Sequence, residues 1–226
     1  MELAPAEDAV LVCRHRKHER LEATLAAVFG AAGAVLAEQV AGGRLVLTGG
    51  RLVRADRGGF GSAATGSVTD TLWETISAGK DEPRAPRRWM RDAVKAEAYA
   101  AVRAGLAERG VARADRGRFL LVFPVTRWTE SDPAPCAAVR ERVAEAVRQG
   151  RPGERLTVLA VLADACGQLQ HLPPELDKRS RADRVADLAA RTWRGGETAA
   201  ALLAVAAALT RTEHSAEAAQ IAAANG

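Results

Sequence analysis

"GLAERGVARADRGRFLLVFPVTRWTESDPA", residues 105–134, joins the end of one helix to the start of another through a run that suits neither. Gly110 stands where glycine commonly closes a helix. Asp115–Gly117 is a turn signal, so Val111–Phe123 reads as a hairpin reversing there. From Phe119 to Val125 the chain is apolar apart from Pro124, and Arg127 and Trp128 lead into a polar turn. Ser131 or Asp132 then offers an N-cap, with Pro133 suited to the first helical position. Three readings fit the apolar run. A core strand would set Phe119, Leu121 and Phe123 against one layer, and Leu120 and Val122 against another. A DNA wing would lay Arg113, Arg116 and Arg118 along phosphates. A membrane finger would have an apolar tip from Phe123 to Trp128, with an interfacial Trp beside Arg127. The residues alone put the core strand first and leave the other two open.

The totals narrow the field. At 226 residues, 48% hydrophobic and 27% charged, the chain has ample apolar material for a core. Aromatics are only 4%, so that core is Ala, Leu and Val, and Ala- and Leu-rich sequence with few β-branched runs favours helix. The formal charge is +4, and only four of the 32 basic residues are lysine (Lys17, Lys80, Lys95 and Lys178). Arginine for lysine, with abundant Ala and Gly, is the residue usage of a GC-rich genome and carries no functional weight by itself. Cys13, Cys136 and Cys166 are far apart and odd in number, which argues against a disulfide framework or a zinc knuckle and fits a reducing cytosol. The opening "MELAPAEDAV" has no signal-peptide pattern. The run "TAAALLAVAAAL" (198–209) is short of the ~20 residues that a membrane span needs.

Around the opening stretch the chain alternates helices and hairpins. "EDAVLVC" (7–13) reads as a short strand or an opening helical turn. Apolar positions from Leu21 to Val40 recur at helical spacing, and Gly42-Gly43 ends that helix. "RLVLT" and "RLVRA" flank Gly49-Gly50, a two-residue hairpin signal. After a glycine-rich loop, a helix is expected from about Asp70 to Ala78. "KDEPRAPRR" (80–88) reads as a charged linker, and one long helix is expected from Trp89 to Arg109. Further helices are expected at about 153–170, 182–193 and 197–222, besides the one after Pro133. The prediction is a mainly α, single helical-bundle domain with small β-hairpins over residues 7–210, and an Ala-rich extension over 211–226.

Candidate chemistry is sparse. Arg14, Arg16, Lys17 and Arg20 surround His15 and His18 in a cluster able to grip phosphates or to stand as a solvated loop. No carboxylate or cysteine lies near the two histidines at metal-site spacing, so no metal is expected. "GGFGSAATGS" lacks the lysine of a phosphate loop and the spacing of a dinucleotide fingerprint. No nucleophile–base or paired-carboxylate signature appears, so neither an enzyme nor a cofactor is expected. Two helix–hairpin units suggest a winged-helix nucleic-acid-binding regulator as the alternative function. Against it, "AVKAEAYAAVRAGLAERG" is Ala-rich and acidic where a recognition helix would show Arg, Asn or Gln.

The order of features resembles the Golgi phosphoprotein 3-like family. The matching segments are "GAVLAEQVAGGRLVL" (33–47), "ATGSVTDTLWETI" (64–76), the linker ending in Trp89, the opening stretch itself, "RLTVLAVLADACGQLQ" (155–170) and "ETAAALLAVAAALT" (197–210). The composition suits a bacterial, actinobacterial member. The resemblance implies a non-enzymatic, peripheral membrane protein that binds phosphatidylinositol 4-phosphate, inserts a hydrophobic hairpin and acts as an adaptor for client membrane proteins. That hairpin maps onto Phe119, Leu121, Phe123, Val125, Arg127 and Trp128. The Trp and three Arg of the family's head-group pocket align with Ala23, Ala32, Ala96 and Tyr99, so the 4-phosphate pocket departs from the pattern. Substitutes lie nearby: Arg14, Arg16, Lys17 and Arg20, with Lys95 and Arg103 eight residues apart on one face of the expected long helix. The expectation is therefore a cytoplasmic, peripherally membrane-associated protein that binds anionic phospholipid head groups.

Overall fold

The computed structural model describes residues 3–13, 24–55, 68–119, 123–150, 153–169, 176–193 and 196–224. Among them the helices are α1 (Pro5–Cys13), α2 (Leu25–Ala41), α3 (Val68–Ser77), α4 (Pro86–Lys95), α5 (Ala98–Glu108), α6 (Ala134–Gln149), α7 (Glu154–Ala165), α8 (Lys178–Thr192) and α9 (Glu197–Ala224). Two antiparallel hairpins complete the fold, β1 (Leu45–Thr48) with β2 (Arg51–Arg54), and β3 (Ala112–Phe119) with β4 (Phe123–Glu130). The mainly α architecture predicted from sequence is the one observed. Helix α9 continues past Arg211 as far as Ala224.

Helix α1 is the innermost element, with α2, α5, α6 and α7 packed around it. Ala9 to Cys13 have no exposed surface. From Ala9 to Cys13 the helix is apolar on every side and shows no 3.6-residue period, which is why its sequence is equally compatible with a strand. Its polar groups are answered locally and by other elements. The Glu38 carboxylate on α2 accepts the Ala6 N–H at 2.7 Å, and Glu7 accepts the Ala4 N–H at 2.6 Å. Arg109 donates to Glu7 at 3.0 Å, and Arg155 donates to Asp8 at 2.6 Å. At the other end Arg140 donates to the Leu11 and Val12 carbonyls, both at 3.4 Å. Carboxylates at the start and a cation at the end suit the helix dipole.

Helix α2 starts at Thr24, whose hydroxyl accepts the Ala27 N–H at 3.2 Å. Glycine lets its neighbours come close. A Cβ on Gly30 would lie 2.9 Å from the Cys13 Cβ on α1, and one on Gly33 would lie 2.7 Å from Leu209 Cδ1 on α9. The first hairpin turns at Gly49 and Gly50, with φ of 56° and 73°, as the sequence predicts. Leu52 at its heart is fully buried, exchanges backbone hydrogen bonds with Arg84 at 2.8 Å, and accepts the Trp89 indole N–H at 3.1 Å. Trp89 stacks on Trp73 at 5.6 Å, so β1–β2, α3 and α4 share one aromatic joint.

Several boundaries differ from the sequence reading. The expected long helix over 89–109 is two helices, α4 and α5. Glu97 between them adopts the left-handed conformation, φ 55° and ψ 38°. Every residue around the break favours helix, so packing on α2 imposes the corner, at a local cost of roughly 1–2 kcal/mol. The corner also starts α4 earlier: Pro86 opens it, and Arg87 and Arg88 are helical rather than linker. The second hairpin does not reverse at Asp115–Gly117. Those residues pair with Arg127–Val125 in mid-ladder, and the chain reverses between the Phe119↔Phe123 pair. The local turn signal is overridden by the eight-pair ladder and by a polar chain across it, in which Arg113 donates to Thr129 (3.2 Å) and Thr129 to Asp115 (3.0 Å). Finally, α6 begins at Ala134 with Pro133 as its cap, and Asp132 accepts the Ala134 N–H at 2.9 Å.

The corner is testable. Glu97→Val, a β-branched side chain at positive φ, is expected to unfold at lower urea than Glu97→Gly, by about 1–2 kcal/mol. Equal stabilities would mean that the left-handed geometry is not retained in solution.

Candidate functional site

The α4–α5 corner brings the aligned head-group positions together with the second hairpin. Ala96 is half-buried at the corner, and Tyr99 is buried at the second position of α5. Arg103 follows Tyr99 by four residues, the spacing that stacks side chains on one helix face. Its guanidinium carbon lies 5.2 Å from the centre of the Tyr99 ring and 4.4 Å from that of Trp128 on β4. The cation is therefore held between two rings on two elements, an arrangement worth roughly 0.5–2 kcal/mol per ring, depending on desolvation. The Arg103 Nε is buried without a hydrogen-bond partner among the described residues. Stacking fixes the plane of the guanidinium and leaves a donor of high desolvation cost unused.

Trp128 sits elsewhere than the sequence reading puts it. It pairs with Ala114 near the base of the ladder, five residues from Phe123, or about 17 Å along an extended strand. It is half-buried and packs against the core, so it anchors the hairpin root and is not a tip residue. Phe123 closes the ladder opposite Phe119, and Val125 pairs with Gly117. Arg127 pairs with Asp115. The side chains of Phe119, Phe123, Val125 and Arg127 lie outside the described residues, as does Leu121 altogether.

The remaining predicted cations divide. Arg14, Arg16, Lys17 and Arg20 lie outside the described residues, as does Ala23. Lys95 is exposed at the last position of α4. It does not share a helix face with Arg103, because the left-handed Glu97 separates their helices; eight-residue spacing has no meaning across that break. Ala32 is fully buried in the middle of α2, where an arginine would have to displace core. Tyr99, the fourth aligned position, contributes a ring in place of a cation. Sequence reading singled out Arg103 and Trp128 separately. Their meeting is tertiary, although the Tyr99–Arg103 spacing was available.

The sequence model of the family described as Golgi phosphoprotein 3 (GPP34) matches residues 6–222. The chain belongs to the Golgi phosphoprotein 3 family. A comparison with curated proteins returns no match. The GPP34 match runs from the second residue of α1 into the last turn of α9, and so takes in both hairpins and the Tyr99–Arg103–Trp128 stack. Among the described residues of this GPP34 member no helix is long and apolar enough to cross a membrane.

Proposed function

We propose that this protein is a peripheral membrane protein that recognises anionic phospholipid head groups and acts as a non-enzymatic adaptor for client membrane proteins. The observation that carries this reading is Arg103. It is a cation clamped between Tyr99 and Trp128, with a buried and unsatisfied Nε, at the root of an apolar hairpin. A guanidinium whose plane is fixed loses little freedom on binding a phosphate. The hairpin beyond it, with Phe119, Phe123 and Val125 along the ladder, supplies an apolar segment that enters the head-group layer. Charge and apolar insertion are each too weak alone to hold a protein firmly, and together they suffice. Ala23, Ala32, Ala96 and Tyr99 at the aligned pocket positions favour recognition of head-group charge over recognition of a single phosphoinositide. Family membership supports the adaptor role. Attachment would be from the cytoplasmic side, where Arg14, Arg16, Lys17 and Arg20 add attraction. The nucleic-acid alternative gains nothing from α5, whose sequence holds no Asn or Gln and whose one arginine is engaged in the stack.

Vesicle flotation tests the reading. Wild-type protein is expected to float with phosphatidylglycerol vesicles and not with neutral ones, less at high salt. Arg103→Gln is expected to bind about 5-fold more weakly, since a basic residue near an anionic surface contributes about 1 kcal/mol. Absence of wild-type binding to every anionic vesicle, phosphatidylinositol 4-phosphate included, would overturn it.

A further inference from the structure

Helix α4 carries four exposed cations on one side: Arg87, Arg88, Arg91 and Lys95. At about 100° per residue they fall within an arc of roughly 100°, and over about 12 Å of helix. None of the four side chains makes a hydrogen bond or ion pair to another described residue. Asp92, the acidic residue of this helix, is taken up instead by Arg84 at 2.7 Å and Lys80 at 3.6 Å. Glu97 lies beyond the end of the helix, at the corner.

The opposite side of α4 is fixed. Trp89, Met90 and Ala93 are fully buried, and the Trp89 indole is tied to Leu52 and stacked on Trp73. The cations therefore stand on a helix that needs no ordering to present them. Leaving four like charges side by side on a helix is unfavourable by a few tenths of a kcal/mol per pair, so the folded protein alone gains nothing from the pattern.

We infer that the α4 stripe is a second docking surface, which lies flat on the phosphates of an anionic bilayer without entering it. This rests on the membrane reading above and adds to it a contact made by different residues. The chemistry selects the partner. A membrane-inserting helix shows a large apolar side chain on the side that meets lipid, and the exposed arc of α4 has none. A stable protein interface needs an apolar centre within the patch, which is also lacking. Base readout calls for Asn or Gln beside the arginines, and α4 has neither. What the arc can do is neutralise a layer of phosphates. Its last member, Lys95, adjoins the corner that leads to Ala96, Tyr99 and Arg103, so the stripe ends where the hairpin-root site begins.

Two charge-matched variants separate this surface from net charge. R87Q/R91Q removes two cations from the stripe. R142Q/R179Q removes two exposed cations from α6 and α8. Affinity for phosphatidylglycerol vesicles is measured by flotation over a lipid titration at fixed salt. R87Q/R91Q is expected to bind about 25-fold more weakly than wild type, at ~5-fold per basic residue. R142Q/R179Q is expected to stay within about 3-fold, that is, at less than half of the per-residue effect. Equal losses in the two variants, or none in R87Q/R91Q, would overturn the stripe while leaving the membrane reading intact. If wild type binds no anionic vesicle the membrane reading fails too. In that case, binding of a DNA duplex that is lost in R87Q/R91Q would assign the stripe to nucleic acid instead.

Discussion

Arg155→Ala is expected to lower the unfolding free energy by about 3–5 kcal/mol, the range for breaking a buried ion pair from one side. The Asp8 side chain is only 2% exposed, on a helix that is itself the centre of the fold. Two guanidinium nitrogens reach the same Asp8 oxygen, Nη2 at 2.6 Å and Nε at 3.1 Å, and Nη2 also donates to the Leu3 carbonyl. Removing the side chain takes this guanidinium away from a carboxylate deep in the molecule. Arg155 is 28% exposed, so water can enter the gap, which favours the lower half of the range. Urea denaturation near neutral pH measures the loss. The double variant Asp8→Leu with Arg155→Met is expected to recover most of it, because a buried pair replaced by apolar groups of similar size is often neutral. A loss under about 1 kcal/mol in Arg155→Ala would mean that α1 is not held by this pair.

The same region shows where sequence reading succeeds and fails. Features set by a few adjacent residues were legible. Gly49-Gly50 specifies a primed turn because both residues need positive φ, and the apolar spacing over α2 needs no partner to be recognised. Helix α1 was ambiguous because burial on all sides removes the polar face that gives a helix its period. The break at Glu97 was invisible for the opposite reason: nothing local calls for it, and packing on both sides of the corner dictates it. Asp115–Gly117 offered a genuine turn signal, yet a longer ladder pairs more backbone by reversing five residues later. The candidate site divides along the same line. Arg103 stood out as a cation and Trp128 as an aromatic, but their contact joins α5 to β4 across a strand register that the sequence reading had placed wrongly. The α4 stripe was hidden by a single boundary. Once 80–88 is read as linker, Arg87 and Arg88 have no helical phase to share with Arg91 and Lys95.

Glu38→Gln is expected to change how stability depends on pH. Burial raises the Glu38 carboxyl from 4.5 to about 7; hydrogen bonds from the Thr69 side chain and the Ala6 N–H pull the other way, Asp70 raises it further and Arg155 lowers it. Between those two pH values the folded protein holds a proton that the unfolded chain has released. The stability linked to this group is thus fully present below about pH 4.5 and is lost as pH rises through about 7. At 1.36 kcal/mol per pH unit the loss amounts to about 3 kcal/mol. Glutamine keeps a carbonyl for the Ala6 N–H and carries no charge to bury. The variant is therefore expected to match wild type within about 1 kcal/mol at pH 5 and to exceed it by about 2–3 kcal/mol at pH 8. Asp177, held low mainly by the Ser180 hydroxyl, titrates below this window and does not confuse it. Urea midpoints from pH 5 to 8 for both proteins supply the test, and parallel curves would show that Glu38 ionises normally in the fold. Combining Glu38→Gln with Arg155→Ala should then show coupling: without the guanidinium that lowers it, the Glu38 carboxyl moves further up, so the glutamine variant gains more in the Arg155→Ala background than in wild type.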